Sequence, residues 1–416
     1  MKIAIIGSGI SGLTAGYLLN KKHEITIFEK NNYIGGHTHT HDLNINNINY
    51  AVDSGFICYN ENTYPNFIKL LKILDVKSQK TTMGFSVKSL KKDLEYSGNS
   101  LSALFSQKKN ILNLPFLWML KDIISFNKKA KQDLPNISAE KTLGKYLEDN
   151  NYSKNFINHY IIPMGAAIWS TKASSMLDMS ALFFIRFFDN HGLLQIKNRP
   201  NWWVIKGGSK EYVKKLINKF EDKINLSSPV SKITRKNKKI EITLNTNDDS
   251  VHTFDAVVIA SHSDQALNLL SDATYLEQEI LGALPYQKNE ALLHTDSTIL
   301  PKNKLAWASW NYNLDQGSES PVALTYNMNI LQSINSEETF CVTLNSDGLI
   351  NPEKVIKKIN YDHPLFTVEG VKAQKRKHEI SGVNNTYYCG AYWRNGFHED
   401  GVVSALDVCG QFGITL

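Results

Sequence analysis

The chain has 416 residues, 42% hydrophobic and 21% charged, a globular composition that excludes wholesale disorder. Its 24 glycines and 11 prolines show no collagenous or low-complexity period. The formal charge is +6, but only five basic residues are arginine (Arg186, Arg199, Arg235, Arg376, Arg394) and the lysines form only short local runs. This pattern argues against a nucleic-acid partner and leaves a weak pull toward anionic membrane surfaces. Cys58, Cys341, Cys389 and Cys409 lie far apart with no CxxC, so neither a disulfide framework nor a metal site is expected. No run is apolar and long enough to span a bilayer, and glycines at 7–12 interrupt the N-terminal apolar stretch before it resembles a signal peptide. The expectation is a cytoplasmic protein, peripheral at most at the inner membrane surface.

Lys2–Ile6 predicts a buried parallel strand, residues 11–21 a helix and Glu24–Glu29 a second strand, the opening of a doubly wound sheet. FSVKSL and DLEYSG predict an antiparallel pair, and 101–133 and 139–170 predict long helices. MSALFFIRFFDNHGLLQI (179–196) is dense in aromatic residues. The segment 207–220 predicts an amphipathic helix, 232–245 a hairpin, FDAVVIAS (254–261) another parallel strand, TYYCGA (386–391) a last strand and 401–410 a last helix. The fold class is therefore α/β. A Rossmann-like cofactor domain is expected from 1–75, 205–270 and 383–416, with 76–204 and 271–382 forming an inserted substrate domain of mixed sheet and helices.

GSGISG places Gly7, Gly9 and Gly12 in a GxGxxG between the first strand and helix. The first glycine suits a tight turn, the second lets backbone approach a pyrophosphate, and the third lets the helix pack on the strand. Ser8 and Ser11 lie in the same loop. Glu29, ending the second strand, is placed to accept hydrogen bonds from both adenosine ribose hydroxyls. After Lys30 comes a second glycine pair, Gly35–Gly36, followed by His37 and Thr38. An NAD site does not need that pair, which resembles the extended FAD fingerprint. Arginine is usual after it in that family; histidine stands here.

Beyond these motifs the chain resembles the flavin-containing amine oxidase superfamily over nearly its full length. More narrowly it resembles a bacterial subgroup of FAD-binding oxidoreductases whose genes neighbour cyclopropane-fatty-acid-synthase-like methyltransferases. The strings carrying that match are VDSGFICYNENTYPNF (52–67), PMGAAIWS (163–170), FFDNHGLLQIKNRPNWWVIKGGS (187–209), ASHSDQALNLL (260–270), LHTDSTILP (293–301), WASWNY (307–312) and CGAYWRNGFHEDG (389–401). The resemblance implies FAD as cofactor. It implies that the Val230 backbone meets adenine, and that Trp203 and Gly207–Gly208 approach the flavin. It also implies that Gly390 and Ala391 flank the ribityl chain, where the wider superfamily carries an acid at Ala391. Gly401–Val402 would open a last helix aimed at the flavin, after Phe397.

His37, His39 and His41 alternate as if on one strand face, but lack acidic or thiol partners, so metal is not expected. His398 or Glu399 is a candidate acid/base; alternatively their loop caps the last helix through Asp400. His191, His262, Asp264, His294 and Asp296 are polar interruptions of apolar sequence. The aromatic residues Phe183, Phe184, Phe187, Phe188, Trp202, Trp203, Trp307, Trp310, Tyr312, Tyr326 and Trp393 are expected mostly in the core, the rest lining an apolar tunnel. The expected activity is FAD-dependent hydride abstraction from a hydrophobic small molecule or lipid, a fatty acyl chain above all. An amine or polyamine oxidase, a flavin-dependent isomerase and a redox-silent partner of a lipid methyltransferase are the alternatives.

Overall fold

In the computed structural model, which describes residues 1–138, 140–169, 172–195, 199–245, 250–315 and 323–416, β1 (Lys2–Ile6) is buried over its last four residues. It pairs in parallel with β2 (Glu24–Phe28) on one side and Ala256–Ile259 on the other. Strands covered on both faces read as unbroken apolar runs, as KIAII and AVVI do. Ile224–Asn225 and Thr386–Tyr388 extend the sheet to five strands. Helix α1 (Ile10–Leu19) packs on it, and the last helix, His398–Gln411, packs on α1. These five strands all come from 1–75, 205–270 and 383–416.

A seven-stranded sheet draws all its strands from 76–204 and 271–382. Phe85–Ser89 and Leu94–Ser97 form the expected antiparallel pair at its edge. A smaller sheet joins the two regions, with Trp202–Ile205 between Cys58–Asn60 and Ser78–Thr81. The 232–245 hairpin forms as expected from Val230–Lys236 and Lys239–Leu244.

The two long helices expected over 101–133 and 139–170 are broken. Asn113 accepts from the Phe116 N–H at 3.3 Å and starts a fresh helix, Leu114–Asp133. Asn151 stands at φ 54°, ending Leu143–Asp149, and Ser153 caps the next turn. Pro163 then has no N–H to offer the His159 carbonyl. The chain widens into a π turn over Ile157–Ile161, and that carbonyl accepts from the Tyr96 hydroxyl at 2.6 Å instead. Ser170 and residues 196–198 of the matching strings lie outside the described residues. No helix among the described residues is long and apolar enough to cross a membrane.

Candidate active site

A cavity of about 740 Å³ runs from the end of β1 to the aromatic block. At its first end the three glycines behave as their spacing predicts. Gly7 adopts φ +101°, a left-handed conformation that side chains disfavour. A Cβ on Gly9 would meet nothing within 4 Å, so its backbone stands open to the cavity. A Cβ on Gly12 would lie 2.0 Å from the Gly7 carbonyl oxygen, which is why Gly12 itself packs behind the cavity wall. The second glycine pair closes on the first loop. Gly35 N–H donates to the Ser8 carbonyl at 3.0 Å, and a Cβ on Gly36 would come 3.2 Å from Gly9 Cα.

Glu29 is buried at this end, and its carboxylate is held by four donors. One oxygen accepts from the Ser8 N–H at 2.8 Å and hydroxyl at 2.7 Å; the other accepts from the Asn31 N–H at 2.9 Å and side-chain amide at 2.8 Å. A ribose diol would share this carboxylate with Ser8 and Asn31. Asn31 is a member the sequence reading missed, although its place two residues after the acid is the usual spacing for a local side-chain turn. Ser228 N–H donates to the Glu29 carbonyl at 2.8 Å, laying the loop 228–230 beside it, so Val230 lines the cavity with Lys30 and Ser11. An open glycine backbone, a fixed carboxylate and a crevice continuing past the loop fit a dinucleotide.

His37 lies further along, stacked on Tyr361 (centroids 4.8 Å) and near His262 and His363 (6.2 and 5.4 Å). Burial lowers the pKa of all three rings, His262 and His363 to about 3. His262 stacks on Tyr286 and stands 3.8 Å from Asp362. His39 and His41 face each other elsewhere, and no metal-ligating group of three occurs among the described residues.

Gly390, Ala391, Phe397 and His398 line the cavity opposite. His398 stacks on Phe56 at 3.7 Å, and its Nε2 bonds the Tyr212 hydroxyl at 2.8 Å. Tyr212 in turn bonds the Thr38 hydroxyl, so Thr38 supports the wall from behind. Burial holds His398 well below the usual histidine range, so it is neutral.

Several placements differ from expectation. The last helix begins at His398 rather than Gly401. Gly401 and Val402 lie one turn in, where Ser11 Oγ donates to the Gly401 carbonyl at 3.0 Å and a Cβ on Gly401 would press on Ile10. They fix the helix against α1 and do not line the cavity. Asp400 is not the N-cap; it accepts from the Phe397 N–H at 2.9 Å from within the first turn. Glu399 faces away from the cavity, its carboxylate accepting from the Asn66 and Phe67 N–H groups at 3.0 and 2.8 Å at the start of α2 (Pro65–Ile73). Trp203 also turns away, donating Nε1–H to Glu61 at 2.9 Å, while Trp202 faces the cavity. Alternate strand residues point to opposite faces. Gly207–Gly208 deliver the Ser209 N–H to Asp53 instead of reaching the cavity. His294 is tied to Thr343 at 2.7 Å in the large sheet.

The far arm is apolar. Tyr160, Met164, Ile168 and Trp169 come from the π turn and the helix after it, and Phe187, Trp310 and Tyr326 complete the wall. All belong to one packed cluster. Of the charged lining residues among those described, Lys30 and Glu29 are at the nucleotide end, Asp362 is with the histidines, and Arg199 lies close enough to Tyr160 of the far arm to act on it electrostatically.

The chain matches the family model described as flavin containing amine oxidoreductase over residues 10–322. A fatty acid isomerase from P. acnes that produces CLA superposes with a TM-score of 0.71 at 16% identity, over 99% of this chain and 98% of that one. Cyclohexylamine oxidase from Brevibacterium oxydans superposes with a TM-score of 0.69 at 13% identity, over 99% of both. A 4,4'-diapophytoene desaturase of Staphylococcus aureus is 57% identical, but over 37 residues, 9% of this chain and 7% of the desaturase. With the family model spanning most of its length, and a glycine-lined crevice built for a dinucleotide, the chain belongs to the flavin-containing amine oxidoreductase family and is an FAD-dependent oxidoreductase.

Proposed function

We propose that the enzyme abstracts hydride from an acyl chain, a fatty acid or membrane lipid, and leaves a carbon–carbon double bond. FAD, when bound, supplies the two-electron acceptor. The observation that carries this reading is the far arm: among the described residues its walls are aromatic and aliphatic, with no carboxylate to pair an ammonium and with the cation Arg199 near Tyr160. An amine would lose its hydration there without a counter-charge. An acyl chain gains from the same walls, about 0.8 kcal/mol for each buried methylene.

Removing hydride from one carbon requires a proton to leave its neighbour. His191 is a suitable acceptor. Its Nδ1–H donates to the Phe187 carbonyl at 2.9 Å, which leaves Nε2 unprotonated, and burial lowers its pKa to about 4. The ring stacks on Phe187 at 3.7 Å, within the arm. The walls exclude water and hold the reacting C–H still.

The test is anaerobic mixing of the flavin-loaded protein with acyl lipids and, separately, with amines. Bleaching of the flavin by lipids with a new double bond in the product supports the reading. Bleaching by amines alone overturns it, and a shifted double bond without bleaching assigns isomerisation instead.

A further inference from the structure

The helix Leu114–Asp133 has two faces. Phe116, Met119, Phe126 and Ala130 point inward into the cluster that holds the cavity wall. The outward face and the turns before it are unusual for a protein surface. Leu101, Ile111, Leu112, Leu114, Trp118 and Ile124 are each between 51% and 87% exposed, six of the twelve large apolar side chains exposed to that degree among the described residues. Large apolar groups gathered on one short stretch mark an interaction surface. Leu305 (61% exposed) lies in a turn packed against Leu101–Leu104 and extends the patch.

The charge along it leans positive. Residues 101–131 contain six lysines and one carboxylate, Asp122, which accepts from the Ser153 N–H at 3.1 Å; Lys109, Lys129 and Lys131 pair with Asp93, Asp133 and Asp189 outside that stretch. Lys108, Lys109, Lys121 and Lys128 are exposed beside the apolar residues, and the Lys121 ammonium sits 4.4 Å from the Trp118 ring centroid. Apolar side chains with an aromatic and a fringe of lysines, on a helix whose other face is anchored in the fold, have the composition of an element lying in the plane of a lipid interface.

We propose that this face, from Leu101 to Lys128, docks the protein on an anionic lipid bilayer. Leu112, Leu114 and Trp118 enter the boundary between headgroups and acyl chains, and the lysines stay at headgroup level. Cation-rich surfaces are attracted to anionic leaflets, and the attraction is screened by salt. The proposal rests on the surface alone and stands whatever substrate the cavity takes. If the substrate is a lipid, docking brings its source to the unit whose inner wall forms the arm.

The test uses the flavin-loaded full chain and extruded vesicles of phosphatidylcholine, alone or mixed with phosphatidylglycerol, in sedimentation at low and high salt. Wild type is expected to bind the anionic vesicles, weakly or not at all the neutral ones, and less in salt. The double substitution Leu112→Asp and Leu114→Asp, at exposed positions where a carboxylate suits a helix N-terminus, is expected to lose at least about tenfold in partitioning. Lys108→Glu with Lys121→Glu is expected to lose about fivefold or more for each lysine removed. Flavin content and melting temperature should match wild type in both, and the lysine variant keeps the test valid if the leucine variant misfolds. Absence of binding to anionic vesicles, or equal binding by all three proteins, overturns the proposal. So does a dimer in gel filtration that the leucine variant dissociates while no vesicle is bound, since the patch then belongs to a second copy.

Discussion

Gly9 and Gly12 stand three residues apart, and a methyl group separates their roles. At Gly12 a Cβ would meet the Gly7 carbonyl at 2.0 Å, so Gly12→Ala must push α1 off β1. Overpacking of this kind costs about 1–3 kcal/mol, and a lower melting temperature with poor flavin content is expected. At Gly9 the methyl enters open space, so Gly9→Ala should keep the stability of the flavin-free protein within about 0.5 kcal/mol. Its flavin dissociation constant should rise about tenfold or more, because the methyl stands where the pyrophosphate must approach the backbone. Equal melting loss in the two variants would contradict this division. His191 is decided at the same scale. His191→Phe keeps the stack on Phe187 and Phe397 but removes Nε2, and flavin reduction by an acyl substrate should slow by about 10²-fold or more with unchanged flavin affinity. Reduction at the wild-type rate would remove His191 from the chemistry.

Glu399 shows at the scale of elements why a buried carboxylate beside a cofactor site need not take part in chemistry. Its oxygens satisfy two N–H groups at the start of α2, and burial raises its pKa despite those bonds. Glu399→Gln is expected to lower stability by about 1–2 kcal/mol and to leave the flavin reduction rate of the folded fraction as in wild type. A slower rate at full flavin occupancy would restore it as a catalytic residue. Sequence cannot separate these roles, because α2 and Glu399 are more than 300 residues apart. What it does show clearly is local. The β1–α1–β2 unit, its three glycines and Glu29 are close in the chain, and each obeys a short-range rule of sterics or hydrogen bonding. The 232–245 hairpin is legible for the same reason. Helix continuity over 101–170 was not, since periodicity persists across the breaks at Asn113, Asn151 and Pro163. Trp203 was misplaced by one residue on a short strand, which exchanges the faces of the sheet. Tyr212, Phe56 and Tyr361 carry no local signature. They join the site through side chains brought together only by the tertiary fold.

Buried titratable groups in several parts of the fold make the stability of the whole molecule a function of pH. Asp53 is a junction. Its carboxylate accepts from the Ser209 N–H at 2.9 Å and from the Gln332 amide at 3.0 Å, while its own N–H donates to the Gln332 carbonyl oxygen of the side chain at 2.9 Å. Burial raises its pKa to about 6, and that of Asp400 to about 7. These folded-state values lie above the unfolded one, so both groups favour the fold most at low pH, and that contribution is lost as pH rises through 6 and 7. Histidines act in the opposite direction. His39, His159, His191 and His294 are lowered to about 4, and His41, His262 and His363 to about 3, by burial in every case. Below pH about 6.5 the unfolded chain protonates them and the folded chain does not, so their contribution is lost as pH falls toward 4. With His23, His37 and His398, also lowered by burial, ten histidines oppose three raised carboxylates, Asp53, Glu399 and Asp400, so unfolding takes up protons between pH 6 and 4. Stability then falls on acidification by about 1.4 kcal/mol per pH unit for each net proton. Urea midpoints of the flavin-loaded protein, in excess FAD and at constant ionic strength, should be lower at pH 5 than at pH 7. Asp53→Asn removes one of the three opposing groups, so its midpoint should drop more steeply than that of wild type over the same interval. A wild-type midpoint that rises on acidification would mean that the carboxylates govern, and that the buried histidines already carry protons in the folded state.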